Sequence, residues 1–490
     1  MTVSPAASAF STTCPECKSL EDAGFAHRIL YPSTEAYNTR IEKETFSATA
    51  QLKSLFIVQP HSTEEVSKIL QTLLSVPGSA IGIRSGGHTA WPGSNFIADG
   101  VTIDLGKMNS TTYNSETGVA SLQPGATWGS VYEELEKHGV TAVGGRAAQV
   151  GVGGFLTGGG NSFFAQENGF GCDNVVNFEV VLADGSVVNG NKDSNSDLWR
   201  ALKGGSGNLG LVTRFDVSTV PCGQMFGGLN THSVEATPAL VEAVTTFTEG
   251  IEDDPASSVV VVWCYIPALE KTLVATTTVN TKGDTDAPAH KALKAAQPLI
   301  SSTLRTDTHL GLVKELDGVY GLENTWITLS YKNSLEMNAY VAGLHENFVG
   351  DVKAELGEHA NFSVQWCFHP LSPALAKRGL GKGGNILGID RFDTAGMMLM
   401  VTLGTTSPAA NATGAKILSG YVEKIKAKGE ELGVMRDWVY LNYADPSQNP
   451  MTTFGSENLD FLKAASKRYD PRGVFQNRVK SGFKIPDWAL

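Results

Sequence analysis

No run of 18 consecutive apolar residues occurs in this 490-residue chain, so the sequence offers no helix to cross a bilayer, and no membrane partner is expected. Basic residues are the minority. Against 50 Asp and Glu stand 38 Lys and Arg, leaving a formal charge of −12. That sign repels nucleic acid and anionic lipid, so a phosphate-bearing ligand must be held by backbone N–H groups or a few placed cations. Cysteine is scarce, with six residues, of which only Cys14 and Cys17 stand close together. A zinc site needs two more ligands nearby and none follows, so no metal is expected. A thioredoxin-type pair needs a strand-to-helix setting that the Ser/Thr-rich start does not supply. A local disulfide or two free thiols remain. Met1–Phe10 has neither a basic stretch nor a long apolar core, so no signal peptide is visible, although sequons at Asn109, Asn361 and Asn411 suit secretion. The chain reads as secreted or cytoplasmic, with oligomeric state open.

Glycine is abundant at 53 residues, while 41% hydrophobic and 18% charged residues describe an ordinary globular chain with room for two or three cores. Residues 55–220 alternate short strands with helices. Leu55–Val58 is apolar and stops at Pro60; Ser62 and Glu65 form a capping-box signature ahead of Val66, Ile69, Leu70, Leu73 and Leu74 at helical spacing. Ile81–Arg84 is a strand, and Trp128–His138 an amphipathic helix ended by Gly139. Phe178–Leu182 and Val187–Val188 form a hairpin around Asp184-Gly185, and Leu211, Thr213, Phe215 and Val217 alternate as a strand. Beyond Cys222, strand-like runs at Val259–Tyr265, Trp326–Tyr331, Phe362–Phe368 and Met397–Thr402 are separated by helical stretches such as Ser334–Phe348 and Ala412–Leu432. The expected architecture is α+β: an N-terminal segment (1–50), a first domain (51–222), a second with an antiparallel sheet covered by helices (223–435), and a tail (436–490) returning to the first.

Four glycine clusters carry the chemistry. In Arg84-Ser85-Gly86-Gly87-His88, adjacent glycines let successive N–H groups converge into an anion-binding nest, with an imidazole beside it. A lone histidine is more often a structural hydrogen-bonding group than a reactive one. Gln123-Pro124-Gly125 precedes a helix whose N-terminus would favour an anion, or is simply a strand-to-helix turn. Gly144 to Gly160 holds eight glycines in seventeen residues, too many for mere flexibility, and suggests backbone lying flat on a planar ligand. Gly205-Ser-Gly207-Asn-Leu-Gly210 matches a dinucleotide fingerprint but follows a helix and precedes a strand, the wrong order for a nicotinamide site.

Together with Asp173-Asn174-Val175, Lys203-Gly-Gly205, Tyr440-Leu-Asn442-Tyr443-Ala-Asp445 and Tyr469-Asp470-Pro471, these motifs run in one order over more than 400 residues. In that order they resemble the berberine-bridge-like branch of the vanillyl-alcohol-oxidase superfamily of FAD-linked oxidases, especially its fungal members. The resemblance implies a bilobal fold whose substrate domain lays its sheet over the flavin, and FAD bonded through its 8α carbon to His88. It implies cofactor contacts from Arg84, Ser85, Gly86, Gly87, Ser94, Pro124, Gly125, Gly145, Arg146, Val150, Gly151, Gly153 and Gly154. Further contacts are implied from Gly158, Gly159, Asn161, Asn174, Val212, Asn442 and Tyr443. Many relatives carry a second, cysteinyl link; Ala147 stands there, so a single link is expected. Val150 occupies the place that governs oxygen approach, and its small side chain resembles oxidases.

In plant relatives a catalytic tyrosine follows the triple glycine, where this chain has Asn161. Tyr440, or His369 together with Gln365, therefore becomes the catalytic candidate. Gln365, Cys367 and His369 share one face of their strand, which looks either at the flavin or at solvent. The expected function is oxidation of a small alcohol, amine or activated C–H compound of secondary metabolism, with molecular oxygen reduced to hydrogen peroxide. A carbohydrate oxidase is one alternative, and a flavin-binding protein without turnover is another.

Overall fold

The computed structural model describes residues 14–488, so Met1–Phe10 lies outside them. Strands Ile29–Leu30, Phe56–Val58, Val101–Asp104 and Ile81–Arg84 lie side by side in that order, the last three parallel. The helix between the second strand and Ile81–Arg84 is Thr63–Ser75, whose N-cap Ser62 accepts the Glu65 N–H. Glu65 takes the N–H of His61 and pairs with Arg28 rather than closing a reciprocal box. Val66, Ile69, Leu70 and Leu73 are buried, each stabilising the packing by about 1.5–3 kcal/mol.

A second, antiparallel sheet of six strands is built around Leu211–Pro221, flanked by Val119–Leu122 and Val175–Val181. Val181 pairs with Val187, so the Asp184-Gly185 turn spans five residues, with Gly185 at φ +83°. Trp128–Leu135 tightens into a final turn over Glu136–His138, and Gly139 caps it in the left-handed conformation.

The third sheet takes nine strands from Met225 to Arg436, antiparallel throughout. Helices Thr237–Glu249, Leu335–Leu356 and Pro408–Glu431 cover one face, packed on Val261, Trp263, Trp366, Phe368, Leu399 and Val401. Two strands lack a hydrophobic signature: Met225–Ser233 and Lys271–Asn280. Their inward positions include Asn230, His232, Thr276, Thr278 and Asn280, all buried, so apolar alternation could not reveal them. After Ser456–Tyr469 the tail returns to the first sheet. There the Ile81 N–H donates to the Arg478 carbonyl (2.9 Å) and the Lys480 N–H to that of Ile81 (2.8 Å). Cys14 and Cys17 are free thiols at the start of helix Pro15–Asp22. Burial, with Glu21 beside it, pushes Cys17 up to about 12 and leaves it unreactive.

Two glycine segments meet where the first and second sheets join. A Cβ on Gly151 would lie 2.5 Å from Gly86 Cα, and one on Gly86 would lie 2.9 Å from Gly151 N. The segment expected to lie flat on a ligand is in part a short helix, Val152–Gly158. Its Gly153 rests on the Ser85 hydroxyl, whereas Gly154 is exposed with open space above its Cα.

Gly151→Ala is expected to cost about 1–3 kcal/mol through overpacking and to impair flavin retention, while Gly154→Ala leaves stability unchanged. Urea midpoints of the two variants check this; equal midpoints overturn it. His290 and His309 are buried, and burial pulls them down to about 4 and about 3. Unfolded, both titrate near 6.5, so below that pH the unfolded chain binds more protons. Stability is full above about pH 6.5 and falls as pH drops toward 4, by about 1.4 kcal/mol per unit per histidine. Thermal midpoints measured from pH 7 to 5 should decline; a flat profile contradicts neutral burial.

Candidate active site

His88 follows the strand Ile81–Arg84 by way of Gly87, which adopts φ +72° and has the Arg84 guanidinium where a Cβ would lie. Arg84 is fully buried and donates to Asp104 (3.1 Å) and to the Glu44 carbonyl (2.6 Å). Burial alone would raise the Asp104 carboxyl; Arg84 and Arg40 outweigh it and hold the group well below the usual carboxylate range. Arg84 thus braces the turn from beneath, and its guanidinium is not available to a phosphate. Ser85 likewise donates its hydroxyl to the Pro124 carbonyl. Among the described residues, the N–H groups of Gly86, Gly87 and His88 find no acceptor. The His88 ring stacks on Phe46 (4.1 Å between centroids, 14° between planes), with Tyr320 and Trp326 at its edges. His88 as a residue is half-buried, and its Nε2 is covered and without a partner. Burial pulls His88 down to about 4, so near neutral pH it is an uncharged imidazole with a free lone pair.

Opposite stands the uncovered face of the nine-stranded sheet. Cross-strand pairing puts His369, Cys367 and Gln365 on the same side as Met398, Met400 and Thr402, and these in turn beside Ser330, Thr328 and Trp326. Met398 packs with Trp438 and Tyr440 into the core cluster that holds Trp128, Val152 and Phe155, so this face looks toward the glycine segments. His369 is buried there. Gln365 is exposed four residues away, about 13 Å along an extended strand, and so does not join the site. Arg146 spans the junction, with its Nη2 donating to the Tyr443 hydroxyl (2.9 Å) and to His369 Nδ1 (3.3 Å). Burial, reinforced by this cation, holds His369 well below its ordinary value, and it stays neutral. Its Nε2 is covered and unpartnered.

Tyr440 does not stand at this surface as a base. Its hydroxyl oxygen accepts the N–H groups of Gly160 and Asn161 (2.8 Å each), and its ring stacks on Phe170. Burial pushes the phenol up, and the two N–H donors only partly oppose that. It therefore pins the Gly159–Asn161 turn. Asn174 donates to the Asn168 and Phe170 carbonyls and accepts from Lys382, while Val212 lies in the core on the strand Leu211–Pro221. Gly145 faces the Trp128 indole and gives its carbonyl to Tyr132. Nor does the helix after Pro124-Gly125 offer an anion site: Thr127 caps it, and the Trp128 and Gly129 N–H groups donate to the Val150 and Ala148 carbonyls. Ser94 donates to the Trp91 carbonyl. Asn442 keeps a covered, unpartnered Oδ1 against Gly158.

Sequence reasoning missed Phe46, Tyr320, Trp326 and Gln149, whose Oε1 is covered and unpartnered. Only Trp326, on the face that strand pairing gives His369, had a signal to find it. A cavity lined by Thr89, Trp91, Asn324, Trp326, Asn442 and Tyr443 adjoins His88, whereas a surface groove at Pro32, Tyr37, Lys53 and Asp99 holds none of these residues. The free N–H groups of the diglycine turn, the orphaned imidazole, amide and indole atoms, and open space over Gly154 fit a dinucleotide with a flat ring.

The model of an FAD binding domain matches residues 54–191. FAD-dependent monooxygenase sdcF of Emericella nidulans is 36% identical over 479 residues, 97% of this chain and 99% of that protein. The glucooligosaccharide oxidase of Acremonium strictum superposes with a TM-score of 0.76 at 18% identity, over 96% of this chain and 98% of that one. Berberine bridge enzyme does so with a TM-score of 0.72 at 15% identity, over 95% and 99%. Among the described residues no helix is long and apolar enough to cross a membrane. With motifs, site and relatives in agreement, the chain has the fold of berberine bridge enzyme, belongs to the family of FAD-dependent oxidoreductases that includes sdcF, and is an FAD-dependent enzyme.

Proposed function

We propose that this enzyme holds FAD through a single 8α-histidyl bond to His88 and oxidises a small organic molecule beneath Arg146, His369 and Tyr443, passing the electrons to molecular oxygen. The observation that carries the reading is the neutral imidazole with an unpartnered Nε2 at the end of a diglycine turn whose N–H groups have no acceptor. Such a nitrogen is a nucleophile without prior deprotonation. The glucooligosaccharide oxidase of Acremonium strictum carries a 6-S-cysteinyl, 8α-N1-histidyl FAD; in this chain Ala147, with no sulfur, supports one link rather than two. Bound FAD supplies the two-electron acceptor. The N–H groups of Gly86 and Gly87 and the open face of Gly154 offer the backbone surface that holds it, with Val150 at its edge. Arg146, His369 and Tyr443 orient the substrate, and Trp91, Trp326 and the Phe46–Tyr320 contact limit water. Oxidation of the substrate by two electrons with release of one hydrogen peroxide balances without a further reductant.

A second reading, oxygen insertion, is favoured by the name of sdcF and of a second relative, drtC of Aspergillus calidoustus, 36% identical over 475 residues. It needs two more electrons per turnover. With labelled dioxygen and no added reductant, the proposal expects all label in peroxide, equal in amount to product. Label in the product once NADPH is added supports insertion, and reducible flavin with no turnover on any panel of alcohols, phenols and sugars, with or without NADPH, supports a binding protein. Acid-precipitated wild-type protein should stay yellow. His88→Ala should release its colour into the supernatant, and a yellow His88→Ala precipitate overturns the attachment site.

A further inference from the structure

Arg146 is a half-buried residue whose guanidinium has no carboxylate within ion-pair distance among the described residues, in a protein whose net charge is −12. Both of its contacts come from Nη2, to Tyr443 and His369, and its remaining donors have no partner among the described residues. The nearby carboxylates are engaged elsewhere: Asp317 accepts the Gln149 N–H, and Asp445 the N–H and hydroxyl of Ser447.

A guanidinium can only donate, so His369 Nδ1 must accept. The ring proton is thereby fixed on Nε2, which is covered, unpartnered and able only to donate. The Tyr443 oxygen accepts from Arg146, and its proton finds no acceptor among the described residues. Three side chains from three separate parts of the chain thus present N–H and O–H groups and no base.

We propose that Arg146, His369 and Tyr443 form an oxyanion-binding site, and that the substrate is an acidic hydroxyl compound, a phenol or an enolised 1,3-dicarbonyl, bound as its anion. This deepens the functional reading above and rests on it. A substrate bound as its anion has released its hydroxyl proton to solvent on binding, so hydride removal then needs no protein base, which accounts for a site without one. A neutral sugar hydroxyl gives such a site nothing to neutralise, so the reading separates this enzyme from carbohydrate oxidation. Charge-assisted bonds of this kind discriminate an anion from its neutral isostere by at least about tenfold.

The test uses benzoate as the oxyanion probe and benzamide as its neutral isostere. Both are titrated into flavin-loaded enzyme and followed through the visible spectrum of the bound flavin and the thermal midpoint. Wild type should bind benzoate at least about tenfold more tightly than benzamide. Arg146→Met should lose that preference with flavin content and absorbance maximum unchanged, and Arg146→Lys should keep part of it. Equal binding of the two probes by wild type overturns the proposal, as does an Arg146→Met variant that still prefers benzoate. Loss of flavin in Arg146→Met alone also overturns it, by assigning the cation to the cofactor. Colourless wild-type protein would instead remove the underlying functional reading.

Discussion

The backbone contact between Gly86 and Gly151 fixes the rest of the site. Two segments 65 positions apart touch with no side chain between them. That approach sets the separation of the first two sheets and aims His88 outward from the turn. Below, Asp104 holds Arg84 and Arg40 in a buried ion cluster, so the turn cannot relax without stranding charges in the interior. Above, Tyr440 gathers the N–H groups of Gly160 and Asn161 and fixes the far end of the same glycine segment. The glycines serve mainly to let chain lie against chain. The surface left for a ligand is what remains at Gly154 and the diglycine turn.

Charge is distributed on the same logic. The chain as a whole is acidic, while the junction between the glycine segments and the third sheet concentrates donors: Arg146, the Nε2 proton of His369 and the N–H groups of residues 86–88. Burial keeps both His88 and His369 neutral. One neutral imidazole offers a lone pair and the other, oriented by a guanidinium, offers a proton. Identical side chains thus take opposite hydrogen-bonding roles because their neighbours differ.

Much of the frame was legible in the residues. The capped helix after Ser62, the strand ending at Arg84, the Gly139 cap and the helices on one face of the third sheet all follow from local periodicity and terminal residues. The failures share one cause. Met225–Ser233 and Lys271–Asn280 bury Thr, Asn and His, whose polarity hides a strand until neighbouring strands satisfy it. Gly125, Gly145 and the start of the helix at Trp128 look like ligand contacts because a glycine required by packing and one required by a cofactor are the same letter.

The sequence by itself determined the class of enzyme, because glycine turns that let backbone approach a ligand, and the histidine after one of them, run in an order that resembles one group of flavoproteins. Tertiary structure alone decided which polar groups meet around Arg146. Tyr440 and Gln365 stood with His369 as catalytic candidates, and Arg146 and Tyr443 only as implied cofactor contacts, until strand pairing and the packing of the sheets turned the first pair away and brought the second to His369. That choice depends on contacts between residues hundreds of positions apart, to which no local pattern is sensitive.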